Sequence, residues 1–366
     1  MNIAFYVDEM NYRGIATSTF LFAYYNKKIL KNNSIIFFNN RNKANKEIVI
    51  NKFKKNFKVL GVTHFGKIDE FKKKYDLKFI YLQKSSQQKQ LISAKIKTLV
   101  HMLYPQKLSQ FEGYNYAYIS EWMSHKFSNR KIPFVPLLIE NYKTKKNLKK
   151  KLSIKKDNTV IGCHGGESSF DLKFVKDSII KVVNIRRDLV FLFLNIDKFC
   201  NHPRIKFLKG TSDEKIKKQF INTCDAMIYA RSLGESFGLA CGEFAVNNKL
   251  IISYKFNRHR SHKYNSSQKL FLEYSSFKSV FKILLNFYRK KKEKKTFNKY
   301  KTYEPRKVMF LFKKIFLKKS YKKYFSLIDY ISNYMGFINM LYFYLRHKIY
   351  NHYYNYFESK IIDFKS

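Results

Sequence analysis

Short apolar segments recur along this chain, each separated from the next by enough residues for a helix. They predict strands at Asn2–Val7, Ser34–Phe38, Lys58–Val62, Phe79–Leu82, Thr98–His101, Tyr116–Ser120 and Phe134–Pro136, with a helix from about Ile15 to Ile29. Brief apolar strands alternating with helix-length segments indicate a parallel sheet covered by helices on both faces. The Lys- and Asn-rich stretch Asn141–Lys156 carries no strand signal and interrupts the pattern, which then restarts. Strands are predicted at Thr159–Cys163, Val190–Asn195, Ile205–Leu208, Ala226–Ala230 and Leu250–Ser253, with helices at Leu172–Asn184, Asp213–Thr223 and Gly238–Asn247. A chain of 366 residues is comfortable for two domains of about 150 each. The expected division is 1–140, a linker at 141–157, a second domain at 158–316 and a helical extension at 317–366. Two such domains in tandem predict a central cleft facing the carboxyl ends of both sheets, where ligands of open α/β sheets bind.

A formal charge of +47 invites a nucleic-acid or membrane reading. Lys, Asn, Ile, Phe and Tyr are abundant together, as AT-rich codons would make them, and the basic residues are spread along most of the chain. A solvated basic surface is the plainer reading, and no zinc finger, RNP-like stretch or helix-turn-helix pattern points to specific nucleic-acid binding. Cys163, Cys200, Cys224 and Cys241 lack C-x-x-C spacing and read as free thiols in a reducing compartment. The opening apolar run is broken by Asp8 and Glu9, which fits a first strand rather than a signal peptide. The expected location is cytoplasmic. The tail beyond Lys318 is rich in Tyr and basic residues and too polar for a confident transmembrane helix, so peripheral contact with an anionic membrane through 317–366 is an expectation.

The segment Ala226–Ser253, "AMIYARSLGESFGLACGEFAVNNKLIIS", carries the chemistry. An apolar strand ends in the polar loop Arg231–Ser236, a helix begins near Gly238, and another apolar strand closes the unit. Glycine lets backbone approach a ligand closely, and the amides and dipole of a helix N-terminus favour an anion such as a diphosphate. Glu235 precedes the helix and Glu243 lies about one turn inside it, so two carboxylates bracket one anion-binding helix end.

The spacing in "ESFGLACGE", two Glu separated by seven residues, resembles the motif of retaining GT-B glycosyltransferases of the "group 1", family-four-like class. The resemblance implies two Rossmann-like domains around a cleft, a nucleoside-diphosphate sugar as co-substrate, a hexose transferred to a glycan or lipid acceptor, and no metal or other cofactor. It places Glu235 against the donor hexose, the backbone of Phe237, Gly238 and Leu239 on the diphosphate, and Glu243 on the ribose. "VIGCHGGESSFDL" stands where the family has a Gly-rich turn and basic phosphate ligands, which makes His164, Gly165 and Gly166 donor-site candidates. The usual Arg and Lys are missing there, Ser168 and Ser169 standing in the turn instead, so Arg231, or else Lys173, is the expected source of positive charge. Arg13 and Gly14 follow strand one at a donor-facing loop, and His101 ends a strand where the family often has a His near the reacting sugar. His259 and His262 are weaker candidates, since that loop lacks the family's Gly-Gly. A non-catalytic GT-B protein, a sugar-nucleotide epimerase and a basic nucleic-acid-binding protein are the rival readings.

Overall fold

The computed structural model describes residues 1–85, 91–140, 144–288, 298–318 and 324–360. The start of the linker at 141–143, most of the basic run at 288–295 and the last six residues of the tail lie outside the described residues. The chain divides into two compact units, Met1–Glu140 with Thr302–Phe337, and Asn141–Lys301 with Ile338–Ser366.

The first unit runs β1 (Asn2–Val7), α1 (Gly14–Lys28), β2 (Asn33–Asn39), α2 (Glu47–Lys54), β3 (Lys58–Val62), β4 (Leu77–Lys84), β5 (Lys97–Met102), β6 (Asn115–Tyr118) and α3 (Glu121–Ser128). Its sheet has the order β3-β2-β1-β4-β5-β6, with all pairs parallel. The expected strand at Phe134–Pro136 reduces to a single bridge from Phe134 to Tyr118. Pro133 and Pro136 flank it, and a residue without an N–H cannot extend a ladder.

The second unit runs β7 (Thr159–His164), α4 (Lys173–Ile185), β8 (Leu189–Leu194), β9 (Ile205–Leu208), α5 (Glu214–Thr223), β10 (Ala226–Tyr229), β11 (Gly234–Glu235) and α6 (Leu239–Val246). It continues through β12 (Leu250–Tyr254), β13 (His259–Arg260), α7 (Ser261–Asn265), β14 (Phe271–Tyr274) and α8 (Phe277–Leu285). The main sheet is again parallel, in the order β14-β12-β10-β7-β8-β9. Read in order of occurrence, both sheets follow one plan, with strand direction of travel reversing between the first and fourth strands. That reversal is the topological switch point of a Rossmann-like sheet, and loops leaving the strands there open a crevice for a ligand. In the second unit those strands are β7 and β10, which deliver His164 and the Arg231 loop.

Two more helices complete the described chain, α9 (Pro305–Phe312) and α10 (Leu327–Tyr353). Residues 302–316, which the sequence reading assigns to the second domain, pack in the first unit. Phe312 lies 5.5 Å from Phe22, and Phe316 lies 5.9 Å from Tyr81 and 5.4 Å from His101, ring centre to ring centre. Aromatic residues at helical spacing announce an inward face, but not which core receives it. Likewise α10 belongs to the first unit through Phe337 and to the second from Ile338.

Candidate functional site

In the second unit β10 leaves the sheet at Tyr229, and the chain turns through Arg231–Leu233 into the two-residue strand β11, paired with β13. Gly234 (φ 75°) and Gly238 (φ 85°) are both in the left-handed region. A methyl group at Gly234 would stand 2.1 Å from the His259 carbonyl oxygen, so only glycine permits the β11–β13 pairing. Gly238 caps α6, and a methyl group there would lie 2.8 Å from both His262 Cβ and the Tyr300 hydroxyl. The Tyr300 hydroxyl donates to the Phe237 carbonyl at 2.6 Å, fixing the approach to the helix. Phe237 is buried, and Leu239, the first residue of α6, is half-buried. This places the positive end of α6 at the mouth of the loop.

Glu235 packs against that helix start. Its Oε1 accepts from the Tyr229 hydroxyl at 3.0 Å and faces Arg231 Nη1 at 3.3 Å. Burial, reinforced by the Glu235 charge, pushes the Tyr229 phenol up, so it stays a donor. The Arg231 carbonyl accepts from Asn257 Nδ2 at 2.7 Å, and Asp171 caps the same loop through the Ser232 amide at 2.7 Å. The loop is thus held on both sides while the Arg231 side chain stays about a quarter exposed (27%).

Glu243, one turn into α6, has a different neighbourhood. Its side chain is only 14% exposed, with Oε1 2.8 Å from Lys217 Nζ on α5. Its Oε2 lies 2.9 Å from His164 Nε2 at the end of β7, close but not aligned as a hydrogen bond. Burial works to raise the carboxyl pKa; Lys217 and His164 outweigh it and hold it down to about 2. Burial likewise opposes the Lys217 ammonium, while Glu243 and Glu214 overcome it and push its pKa up. These two shifts describe one interaction. Because Lys217 also contacts Glu214 at 2.9 Å, its charge is spent within the protein, and little of it remains for a bound anion.

His164 is followed by Gly165, whose carbonyl accepts from Asn195 Nδ2 at 2.7 Å. A methyl group at Gly165 would press on Ser169 Oγ at 2.6 Å, whereas Gly166 has open space. His262 is fully buried beside the loop, its Nε2 3.2 Å from Ser253 Oγ and its ring 5.0 Å from that of Tyr229. Burial holds His262 neutral and lowers His259 to about 3. Among the described residues no cluster of His, Cys, Asp or Glu could hold a metal ion.

No protein-family model and no curated protein sequence matches the chain. Solved structures do. A glycosyltransferase from Rickettsia africae superposes with a TM-score of 0.59 at 14% identity, covering 87% of this chain and 99% of that one. HepE from Anabaena, in complex with UDP and glucose, gives 0.57 at 11% identity, with 93% and 99% covered. MnaA from S. aureus, in complex with UDP, gives 0.55 at 8% identity, with 88% and 99% covered. The chain has the GT-B fold. At such identities the likeness is one of architecture, and the chemistry has to be argued from the site.

Within the GT-B fold, the second unit brings Glu235, Arg231, Phe237, Gly238 and Leu239 together at the start of α6, and Glu243, one turn in, meets His164. Arg13 and Gly14 belong to the first unit, where both are exposed and Arg13 caps α1. His101 needs correcting as a chemical candidate. It is wholly buried, with Nδ1 2.7 Å from the Tyr81 hydroxyl and Nε2 2.7 Å from the Val135 carbonyl, and burial lowers its pKa to about 3. Both nitrogens are used inside the core, so it offers none to a substrate. Lys173 lies on α4, its side chain 57% exposed and 2.7 Å from Asp177. Replacing His101 by alanine is expected to destabilise the chain by about 3 kcal/mol, from the cavity and two orphaned partners. Urea midpoints measure this, and UDP affinity of the folded fraction should not change.

Sequence reasoning missed Lys217, Tyr229 and Tyr300. Tyr229 was readable as the polar-tipped residue of an apolar strand just ahead of the loop. Lys217 is one of 73 basic residues, and nothing local distinguishes it.

Proposed function

We propose that this protein is a glycosyltransferase that moves a hexose from a UDP- or GDP-linked donor to a glycan or lipid acceptor with retention, needing no metal. The observation that carries the reading is the start of α6 at the switch point of the second sheet. A left-handed Gly238 starts the helix there, with Glu235 and Arg231 on the loop that enters it. The fold likeness to HepE and to MnaA, both solved with UDP, favours uridine as the base.

In this reading the helix end and Arg231 receive the diphosphate and stabilise the charge that builds as the anomeric C–O bond breaks. Glu235 stands by the hexose and is oriented by Tyr229. The acceptor oxygen bonds to the anomeric carbon on the face the diphosphate leaves, and its proton passes to the departing phosphate oxygen. Glu243 organises the site: it holds His164 against the Gly165–Gly166 turn and keeps remaining lone pairs for ribose hydroxyls. His101 has no part. Contact with an anionic membrane and a cytoplasmic location fit this reading, and the first is developed below.

The test is titration of the purified chain with UDP, GDP and their hexose conjugates, followed by transfer assays with glycan and lipid acceptors. Glu235→Gln keeps the shape of the Tyr229 contact and removes the charge. It should lower turnover about 100-fold while leaving the UDP dissociation constant nearly unchanged. Absence of UDP and GDP binding at millimolar concentration would sink the reading in favour of a non-catalytic or nucleic-acid-binding protein.

A further inference from the structure

Helix α10 buries one face and leaves the other apolar. The inner face runs Asp329, Asn333, Gly336, Met340 and Phe343, all buried and spaced at three or four residues. Its polar members are tied down: Asn333 Nδ2 donates to the Gln106 and Phe127 carbonyls at 3.0 and 2.7 Å, and Asp329 Oδ2 accepts from the Ser326 amide at 2.8 Å. Gly336 lets the helix sit down on the Lys126 carbonyl, where a methyl group would meet oxygen at 2.6 Å.

The opposite face should be polar if water were its permanent neighbour. Instead Leu327, Ile331, Ile338, Leu341, Leu345 and Ile349 lie along it at helical spacing, each between 42% and 76% exposed. Tyr330, Tyr334 and Tyr342 flank them, each about half exposed or more. The only charge from Leu327 to Leu345 is Asp329, which is buried. At 1.5 Å per residue the stripe extends roughly 30 Å, far beyond the scattered apolar residues a monomer's surface carries. Charge returns at its C-terminal end, where Arg346 and Lys348 are exposed beside Leu345 and Ile349.

We propose that the outer face of α10 lies in the surface of a bilayer containing anionic phospholipids. The chemistry matches on three counts. An apolar stripe enters the acyl boundary, tyrosines sit at head-group level, and Arg346 and Lys348 meet phosphate at the C-terminal end. Among the described residues no helix is long and apolar enough to cross a membrane, so α10 rests on the surface. A second copy of the chain fits less well, since bringing together two chains that each carry a formal +47 is opposed by charge, whereas an anionic surface attracts them. The proposal does not depend on the transferase reading.

The experiment uses the whole chain, because removing 317–366 would also strip Asn333 and Tyr354 from their contacts. Flotation is measured with vesicles of equal parts phosphatidylglycerol and phosphatidylcholine, and with phosphatidylcholine alone. Wild type should float with the anionic vesicles only. Ile331→Glu with Ile338→Glu places two charges on positions already open to solvent. That pair should weaken binding at least ~10-fold with circular dichroism and melting temperature unchanged. Ile48→Glu, at an equally exposed apolar position on α2, should bind as wild type does. Tyr334→Trp should shift its emission to the blue on adding anionic vesicles. No flotation of wild type, equal flotation with neutral vesicles, or full binding by the double variant would each overturn the proposal. A stripe-dependent dimer by light scattering in the absence of lipid, with no vesicle binding, would assign the face to a second copy instead.

Discussion

Lys217→Met is expected to lose about 3–5 kcal/mol of unfolding free energy at neutral pH, the usual result of leaving a buried charge without its partner. Glu243 would keep only His164 nearby, and burial, now weakly opposed, would push its carboxyl back up from about 2. The sign of the pH dependence follows. In the wild type the folded pKa lies below the unfolded value of about 4.3, so the native state binds fewer protons in that window. The stabilisation is full above the unfolded pKa and is lost as pH falls toward 2. The gap between wild type and Lys217→Met should therefore be widest at neutral pH and close in acid. Replacing both partners with methionine should recover most of the loss, because two desolvated charges are removed together. Urea unfolding at neutral pH and near pH 3 distinguishes these outcomes, and equal stability of wild type and the single variant would make the pair a spectator. Glu243→Ala should in addition weaken UDP binding by ~10-fold or more through displacement of His164 and loss of hydroxyl acceptors. A UDP affinity that survives in Glu243→Ala would leave Glu243 a purely structural anchor.

Gly238→Ala carries the other large effect. Left-handed backbone costs a residue with a Cβ about 1–2 kcal/mol. The added methyl would also press on His262 Cβ and the Tyr300 hydroxyl, each 2.8 Å away, adding about 1–3 kcal/mol of overpacking. Neither neighbour yields easily: His262 is fully buried, and Tyr300 is tied to the Phe237 carbonyl. The start of α6 would shift, and UDP affinity should fall with stability. Gly166→Ala is the control, at φ −82° with nothing within 4 Å of the added methyl. It should change stability by less than about 0.5 kcal/mol. If both substitutions behaved alike, the geometry at Gly238 would not be what shapes the helix end.

Much of this protein could be read from its residues in order. Runs such as "AMIY" and "LVFLFL" are apolar on both faces and become central parallel strands, β10 and β8, within a residue or two of their predicted bounds. Strand identity survives translation into structure because it depends on neighbours in sequence and on burial that any sheet would supply. Glu235, Gly238 and Glu243 were visible for the same reason: nine consecutive residues place them on one loop and one helix end.

What the order of residues left open were the partners that come from elsewhere in the chain. Which of many lysines neutralises Glu243 depends on α5 lying beside α6, and Lys217 has no local mark of it. His101 ends its strand as expected, yet Tyr81 and Val135 enclose it, because β5 is an interior strand of the first sheet. Position in the chain assigned residues up to 316 to the second domain, and only the core around Phe22 and Tyr81 decided which unit received α9. In α10 both faces are apolar, so periodicity alone cannot say which one is buried. Hydrogen bonds to Asn333 and the close approach at Gly336 settle the inner face, and with it the apolar stripe that remains outside. Local sequence determines what an element is; contacts between elements far apart in the chain determine what its side chains meet.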